Sequence, residues 1–272
     1  MPGELRSHSE GSTLVLTLHN PEQRNALSPE MYSAGVEALN GAEGSRDVRA
    51  VVLTGSGGHF CAGGSLQRLQ ANREREPEVQ VQSIEALHSW IEAIRTFPKP
   101  VIAAVEGAAA GAGFSLALAC DFVVAARDAV FAAAYSQVGL SPDGGLSWQL
   151  ARALPRQLAS EWLMLGERLA AERLHGAGLV NQLCDSGRAL SSALKLADSL
   201  AERAPNALAS IKDLLAEAPQ STLNTQLGLE RDHFVRNLHH PHAGLAIEAF
   251  LARSKPGHPQ PPSPQAGAQP TA

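Results

Sequence analysis

Two glycine-rich segments, GSGGHFCAGG at residues 55–64 and GAAAGAG at residues 107–113, each follow an apolar run. A glycine-rich turn between a strand and a helix leaves backbone N–H groups exposed, and such groups bind phosphate or hold an oxyanion. Nucleotide phosphate is the poorer match, because neither GxGxxG at a first strand nor GxxxxGK[ST] is present. Each segment alone is equally well read as tight turns and close helix packing. The two together favour an oxyanion site built from both loops.

Other reactive side chains are sparse. Between Gly107 and Gly145 the acids are Asp121, Asp128 and Asp143. Asp121 opens a strand and Asp128 sits in the turn Arg127-Asp128-Ala129, so both read as structural. Asp143, in Ser-Pro-Asp-Gly-Gly, stands where an aspartate commonly caps a helix. Three widely separated cysteines, Cys61, Cys120 and Cys184, have no CxxC spacing and support neither a disulfide framework nor a zinc site. His239, His240 and His242 come without HExxH or a Cys/His cluster and read as a solvated helix end; no metal is expected. Ser115 has no His or Asp arrangement nearby in sequence that would make it a nucleophile.

Positioning the two loops requires strands that end together. Residues 13–18 (TLVLTL), 48–53 and 101–105 are short, β-branched and apolar, and each runs into turn chemistry. Ser28-Pro29-Glu30 gives an N-cap, a first-turn proline and a first-turn acid for a helix reaching about residue 40. Further helices are expected at 66–71, 81–97 and 114–119, with strands at 121–126 and 129–132. The alternation predicts an α/β core with right-handed crossovers and a sheet covered on both faces. After Gly144 the pattern turns helical, at 146–154, 158–165, 170–175, 189–204, 206–216 and 222–238, with one strand at 179–183. Long amphipathic helices after a finished sheet close a domain or form an oligomer contact.

The chain has 272 residues, 44% hydrophobic and 18% charged, enough to bury a large core. Lys plus Arg number 22 against 27 for Asp plus Glu, a net charge of −5 that gives no electrostatic reason to expect nucleic acid. The N-terminus lacks the basic and apolar segments of a signal peptide, so a cytoplasmic location is expected. The most apolar stretch, 101–120, contains Glu106 and three glycines and reads as strand, turn and helix, so no membrane partner is expected.

Three stretches in order resemble the enoyl-CoA hydratase/isomerase family of the crotonase superfamily. They are HNPEQRNALS at 19–28, FCAGGSL at 60–66 and GAAAGAGFSLALACD at 107–121, continued by GLSPDGG at 139–145. The resemblance covers about residues 10–255. It implies an α/β crotonase-type spiral of ββα units with a helical C-terminal trimerisation region, and a coenzyme A thioester substrate. The expected organisation is a spiral core with the CoA-thioester site at 1–200, a helical oligomerisation region at 201–253 and a disordered proline-rich tail at 254–272. The oligomer implied is a homotrimer or a dimer of trimers. Coenzyme A belongs to the substrate, and no further cofactor is implied.

Carried over position by position, the resemblance puts the oxyanion N–H groups on Gly64 and Ala112, where alanine suffices because only its N–H is used. Pantetheine and adenine contacts fall on Arg24, Ala26, Ala62 and Leu66, and Arg24 can meet phosphate charge. The two glutamates that hold water in the hydratases are replaced by Ser115 and Tyr135, neither of which ionises near neutral pH. Asp143 matches the position where family isomerases and hydrolytic dehalogenases place a working carboxylate, so a catalytic role stands beside the helix cap. In the dehalogenases a histidine activates the hydrolytic water, and His88 aligns with it, though a pocket wall or helix-packing histidine is the plainer reading. Tyr135 positions substrate or simply packs. Ser65 replaces the aspartate that many members carry after the oxyanion glycine, and Lys255 is what remains of a basic C-terminal ending.

The reading that follows is an enoyl-CoA isomerase in which Asp143, raised in pKa by an apolar pocket, shuttles one proton beside an oxyanion hole. The alternatives are an enoyl-CoA hydratase, a hydrolytic aryl-CoA dehalogenase-like enzyme, or a CoA-binding or scaffolding subunit without catalysis.

Overall fold

The computed structural model describes residues 3–253; the proline-rich stretch 254–272, with Lys255, lies outside the described residues. The chain forms two compact units, Met1–Pro219 and Gln220–Ala272.

Two sheets organise the first unit. In the larger one, β1 (Glu4–Glu10) pairs antiparallel with β2 (Thr13–His19), and β2 continues in parallel to β3 (Ala50–Gly55) and β4 (Val101–Val105). The smaller sheet begins with β5 (Ala108–Ala110). β6 (Phe122–Ala126) joins β4 in the larger sheet, β7 (Val130–Ala132) and β8 (Arg168–Ala170) complete the smaller one, and β9 (Gln182–Cys184) closes the larger beside β6. The helices are α1 (Pro29–Glu43), α2 (Leu66–Asn72), α3 (Pro77–Thr96), α4 (Ala112–Ala119), α5 (Leu146–Ala153), α6 (Arg156–Leu165), α7 (Ala171–Gly176), α8 (Ala189–Ala201) and α9 (Pro205–Glu217). The second unit carries α10 (Leu223–Leu238), capped by the Thr222 hydroxyl, and α11 (Pro241–Arg253).

Alternation along the parallel strands explains how the sheet is covered. Val51, Leu53, Val101 and Ala103 face one core with Met31, Leu39 and Trp90 of α1 and α3. Their neighbours Ala50, Val52, Ile102 and Ala104 face a second core, closed by Ala189, Ala193 and Ala197 of α8. Successive side chains point to opposite faces, so a parallel strand buried on both must be apolar throughout. The Ser28 hydroxyl accepts from the Met31 N–H and starts α1 as the Ser-Pro-Glu pattern predicts.

Four elements depart from the sequence reading, one of them β8, a three-residue strand where only the join between two helices is expected. β1 is polar and largely exposed, with no apolar alternation, and is held as an edge strand by its ladder to β2. β5 lies within the stretch expected to be a glycine turn; its three alanines carry no strand signal and are recruited by pairing with β7. α11 follows the histidine run where only a helix end is expected.

Candidate active site

β3 and β4 are parallel neighbours, so the loops that follow them leave the same sheet edge. The two glycine-rich loops then hydrogen-bond to each other. Phe60 N–H donates to the Glu106 carbonyl at 2.8 Å, Cys61 N–H to Ala108 at 2.9 Å, and Ala110 N–H to Cys61 at 2.9 Å. At Gly63, whose φ is +90°, a side chain would run into the Ala110 carbonyl 2.6 Å away, so only glycine lets the loops touch. Gly111, with φ +52°, turns the chain into α4 while its N–H donates to the Ala132 carbonyl at 2.9 Å.

Beyond that contact the Gly64 and Ala112 N–H groups have no hydrogen-bond acceptor among the described residues. Ala112 opens α4, whose unpaired N-terminal amides carry partial positive charge. Both residues line a cavity of about 520 Å³. Two unpaired donors beside one cavity are suited to an oxygen that gains negative charge.

Asp143 lines the same cavity. Its side chain caps no helix: α5 has Gly145 at its N-cap and no side-chain cap, and the Asp143 carbonyl takes the Leu146 N–H instead. The Tyr135 hydroxyl donates to Asp143 Oδ1 at 2.7 Å, and the Ser115 hydroxyl lies 3.2 Å from that of Tyr135. Ser115 also donates to the Asp143 carbonyl at 2.9 Å, while Gln149 Nε2 donates to the Ser115 carbonyl at 3.3 Å. Ser115 and Tyr135, which the family resemblance puts in place of the hydratase glutamates, therefore each hold Asp143 by a hydroxyl, one at its carbonyl and one at its carboxylate. Burial raises the Asp143 pKa, opposed first by the Tyr135 hydrogen bond and then by the nearby His88 charge. Burial and the adjacent carboxylate push the Tyr135 phenol up, so it stays a donor.

Of the other expected site residues, Ala62, Leu66, His88 and Tyr135 line the cavity, with Leu66 and His88 exposed at it. Arg24 and Ala26 do not. Arg24 is exposed at φ +50°, and its carbonyl accepts the Ala62 N–H at 2.9 Å; Ala26 is buried beneath the same loop. Their segment aligns the oxyanion loop through Leu27 N–H, which donates to Gly63 at 2.8 Å. Ser65, in place of the family aspartate, caps α2 by accepting the Arg68 N–H at 3.3 Å. Among the described residues no group of three or more His, Cys, Asp or Glu side chains could hold a metal ion.

Sequence reasoning missed three residues. Asn25 is fully buried at φ +59°; its amide donates to the Ser56 and His59 carbonyls at 2.8 and 2.7 Å, and its oxygen accepts the Asn20 N–H. It locks the 19–28 segment to the first glycine-rich loop, and the signal was an asparagine, which tolerates left-handed backbone, inside HNPEQRNALS. Tyr32 and Arg68 also line the cavity, yet an aromatic in an amphipathic helix and an arginine in a polar one announce nothing by spacing.

The enoyl-CoA hydratase/isomerase family profile matches residues 8–261. A relative from Escherichia coli (strain K12), named 1,2-epoxyphenylacetyl-CoA isomerase, is 37% identical over 251 residues, 92% of this chain and 96% of its own. A relative from Thermus thermophilus named putative enoyl-CoA hydratase is 38% identical over 77% of this chain and 83% of its own. A crystal structure of an enoyl-CoA hydratase from Polaromonas sp. JS666 superposes with a TM-score of 0.92 at 68% identity, covering 92% of this chain and 98% of that one. The likeness runs through both glycine-rich loops and the sheet that carries them, and the chain belongs to the enoyl-CoA hydratase/isomerase family, with the crotonase fold.

Proposed function

We propose that this enzyme is an enoyl-CoA isomerase that moves a double bond with Asp143 as its single base. The thioester carbonyl oxygen takes the Gly64 and Ala112 N–H groups as donors. The Asp143 carboxylate removes a proton from one end of the three-carbon unit, the electron pair delocalises onto the carbonyl oxygen, and the same carboxyl returns the proton at the other end. Tyr135 holds Oδ1 by its hydroxyl, which leaves Oδ2 to carry the proton. A one-base shuttle is mass-neutral and needs no cofactor beyond the coenzyme A of the substrate.

The observation that carries this reading is that Asp143 is the sole carboxylate among the lining residues of the cavity that holds both unpaired amides. The relative named an isomerase supports it. Relatives named hydratases, and His88 lining the same cavity, favour water addition or hydrolytic substitution as the second reading. Exposed apolar side chains on α10 and α11, among them Leu227, Phe234 and Leu245, support a homotrimer or dimer of trimers, and light scattering of the full chain tests it. No helix among the described residues is long and apolar enough to cross a membrane, and a cytoplasmic location remains part of this proposal.

The deciding experiment follows 2-enoyl, 3-enoyl and aryl-acyl-CoA thioesters by mass spectrometry in heavy-oxygen water, with deuterium exchange in parallel. Asp143-dependent deuterium uptake with a mass-neutral double-bond shift is the expected result. Heavy oxygen in the product would overturn it in favour of hydration or hydrolysis.

A further inference from the structure

The cavity holds a cation that the proposed proton shuttle does not use. Arg68 projects from α2 into the lining, where its Nη2 donates to the Tyr32 hydroxyl at 3.3 Å. Its Nε is buried with no hydrogen-bond partner, and among the described residues no carboxylate lies within ion-pair distance of the guanidinium. Asp143, the lining carboxylate, is engaged by Tyr135 instead. A buried N–H without an acceptor is costly, and a half-buried guanidinium that faces a cavity is suited to pair with an anion. Tyr32 receives the arginine hydrogen bond on its oxygen, so its own proton remains for another acceptor.

The two groups together make a directed donor pair. Tyr32 is itself almost fully buried and packs on Trp90, with ring centroids 6.5 Å apart, which fixes its hydroxyl. At that hydroxyl the Arg68 charge acts more strongly than the opposing charge of Asp143, so this corner attracts negative charge. The anchoring of α2 by Ser65 holds the arginine in place. The surrounding wall of Leu69, Ile84 and Leu87 gives an alkyl chain or ring an apolar path.

We propose that Arg68 and Tyr32 form a subsite for a carboxylate at the far end of the acyl group, so that the preferred substrates are coenzyme A thioesters of acids bearing a second carboxylate. The proposal rests on the reading of the cavity as a CoA-thioester site, but not on Asp143 being its base. A phosphate of coenzyme A is the other anion that could meet this arginine, and the test must separate the two.

The experiment is calorimetry on the full chain with saturated thioesters, which cannot isomerise. A six-carbon acyl-CoA ending in a carboxylate is compared with one ending in a methyl group, and both are repeated as pantetheine thioesters lacking the nucleotide phosphates. Wild type is expected to bind the carboxylate form about tenfold more tightly in both series, as a charge-assisted pair gives. Arg68→Gln should bring that ratio close to one, Arg68→Lys should recover part of it, and Tyr32→Phe should reduce it less. Equal binding of the two forms by wild type would overturn the subsite while leaving the CoA-thioester site intact. Loss on Arg68→Gln that is alike for both acyl groups and absent from the pantetheine series would overturn it in favour of a phosphate contact. Binding of neither thioester would remove the site reading and the subsite with it.

Discussion

The first unit contains two aspartates whose pKa is raised in different surroundings. Asp121 accepts the Val101 N–H and the Lys212 ammonium, both at 2.8 Å on Oδ2, and ties β4, β6 and α9 together. Asp143 receives one neutral hydroxyl on Oδ1 and faces a cavity. Burial raises the pKa of both, and at Asp121 it outweighs even the lysine. Desolvation alone therefore does not distinguish a structural carboxylate from a base. The difference lies in the partner. A lysine and an amide hold Asp121 in a structural ion pair, whereas the Tyr135 hydroxyl orients Asp143 within the cavity that also holds the two unpaired amides and leaves its second oxygen without a partner there.

That contrast is broken most directly by exchanging charge for an isosteric amide at each site. Asp143→Asn should lower isomerase kcat by about 10³-fold, within the range for loss of a positioned base. Because its raised pKa makes the ionised form a cost to folding, the variant should melt no lower than wild type at neutral pH. The advantage should vanish as the pH falls and the wild-type carboxyl is protonated. Asp121→Asn should instead keep most turnover, since that side chain is tied to Val101 and Lys212 and lines no part of the site cavity. Calorimetric melting together with initial rates decides both, and a full-rate Asp143→Asn enzyme would sink the distinction.

The acceptor side of the site allows a finer cut. Ala112 is the first residue of α4, where proline is tolerated because that N–H has no helical partner. Ala112→Pro should therefore delete one oxyanion donor without unfolding the helix, lowering kcat by about 10²-fold. Unchanged far-ultraviolet circular dichroism with unchanged kcat would show that the amide is not used.

How much of this the residue types reveal depends on what they signal locally. Parallel strands buried on both faces read as apolar runs, so β2, β3, β4 and β6 stand out, as do the loops between them. β1 does not, because an exposed edge strand has no apolar side to display. At the site, glycines requiring left-handed backbone or close approach are conspicuous and point to the two loops, while Gly64 and Ala112 within them come from the family resemblance. The meaning of Ser115, Tyr135 and Asp143 rests on two hydroxyls that meet the aspartate from 28 and 8 residues away in sequence, which no periodicity encodes. A helix cap stands as the lesser reading of Asp143 until the chain is folded and the cap is seen to be Gly145. Arg68 is plainer still: on a short polar helix it looks solvated, and only the packing of α2 beside Tyr32 gives it a cavity to face.

Tyr135→Phe and His88→Gln sharpen the comparison on the Asp143 side by separating a hydrogen bond from a through-space charge. Both wild-type groups lower the carboxyl pKa, so removing either should raise it, and a base that must be ionised then works only at higher pH. The acid limb of kcat/KM should shift upward in both variants, further in Tyr135→Phe, where kcat at the plateau should also fall about tenfold as the carboxylate loses its orientation. The two effects differ in their response to salt. His88 is exposed, so its influence on Asp143 passes through solvent and is screened within about 10 Å at 0.1 M ionic strength. The Tyr135 hydrogen bond is a direct 2.7 Å contact from a buried phenol and should respond little to salt. Raising ionic strength in wild type should therefore move the limb towards that of His88→Gln, while the variant itself stays where it is. A salt shift of equal size in His88→Gln would mean that some other exposed charge, and not the histidine, sets the field at the carboxylate.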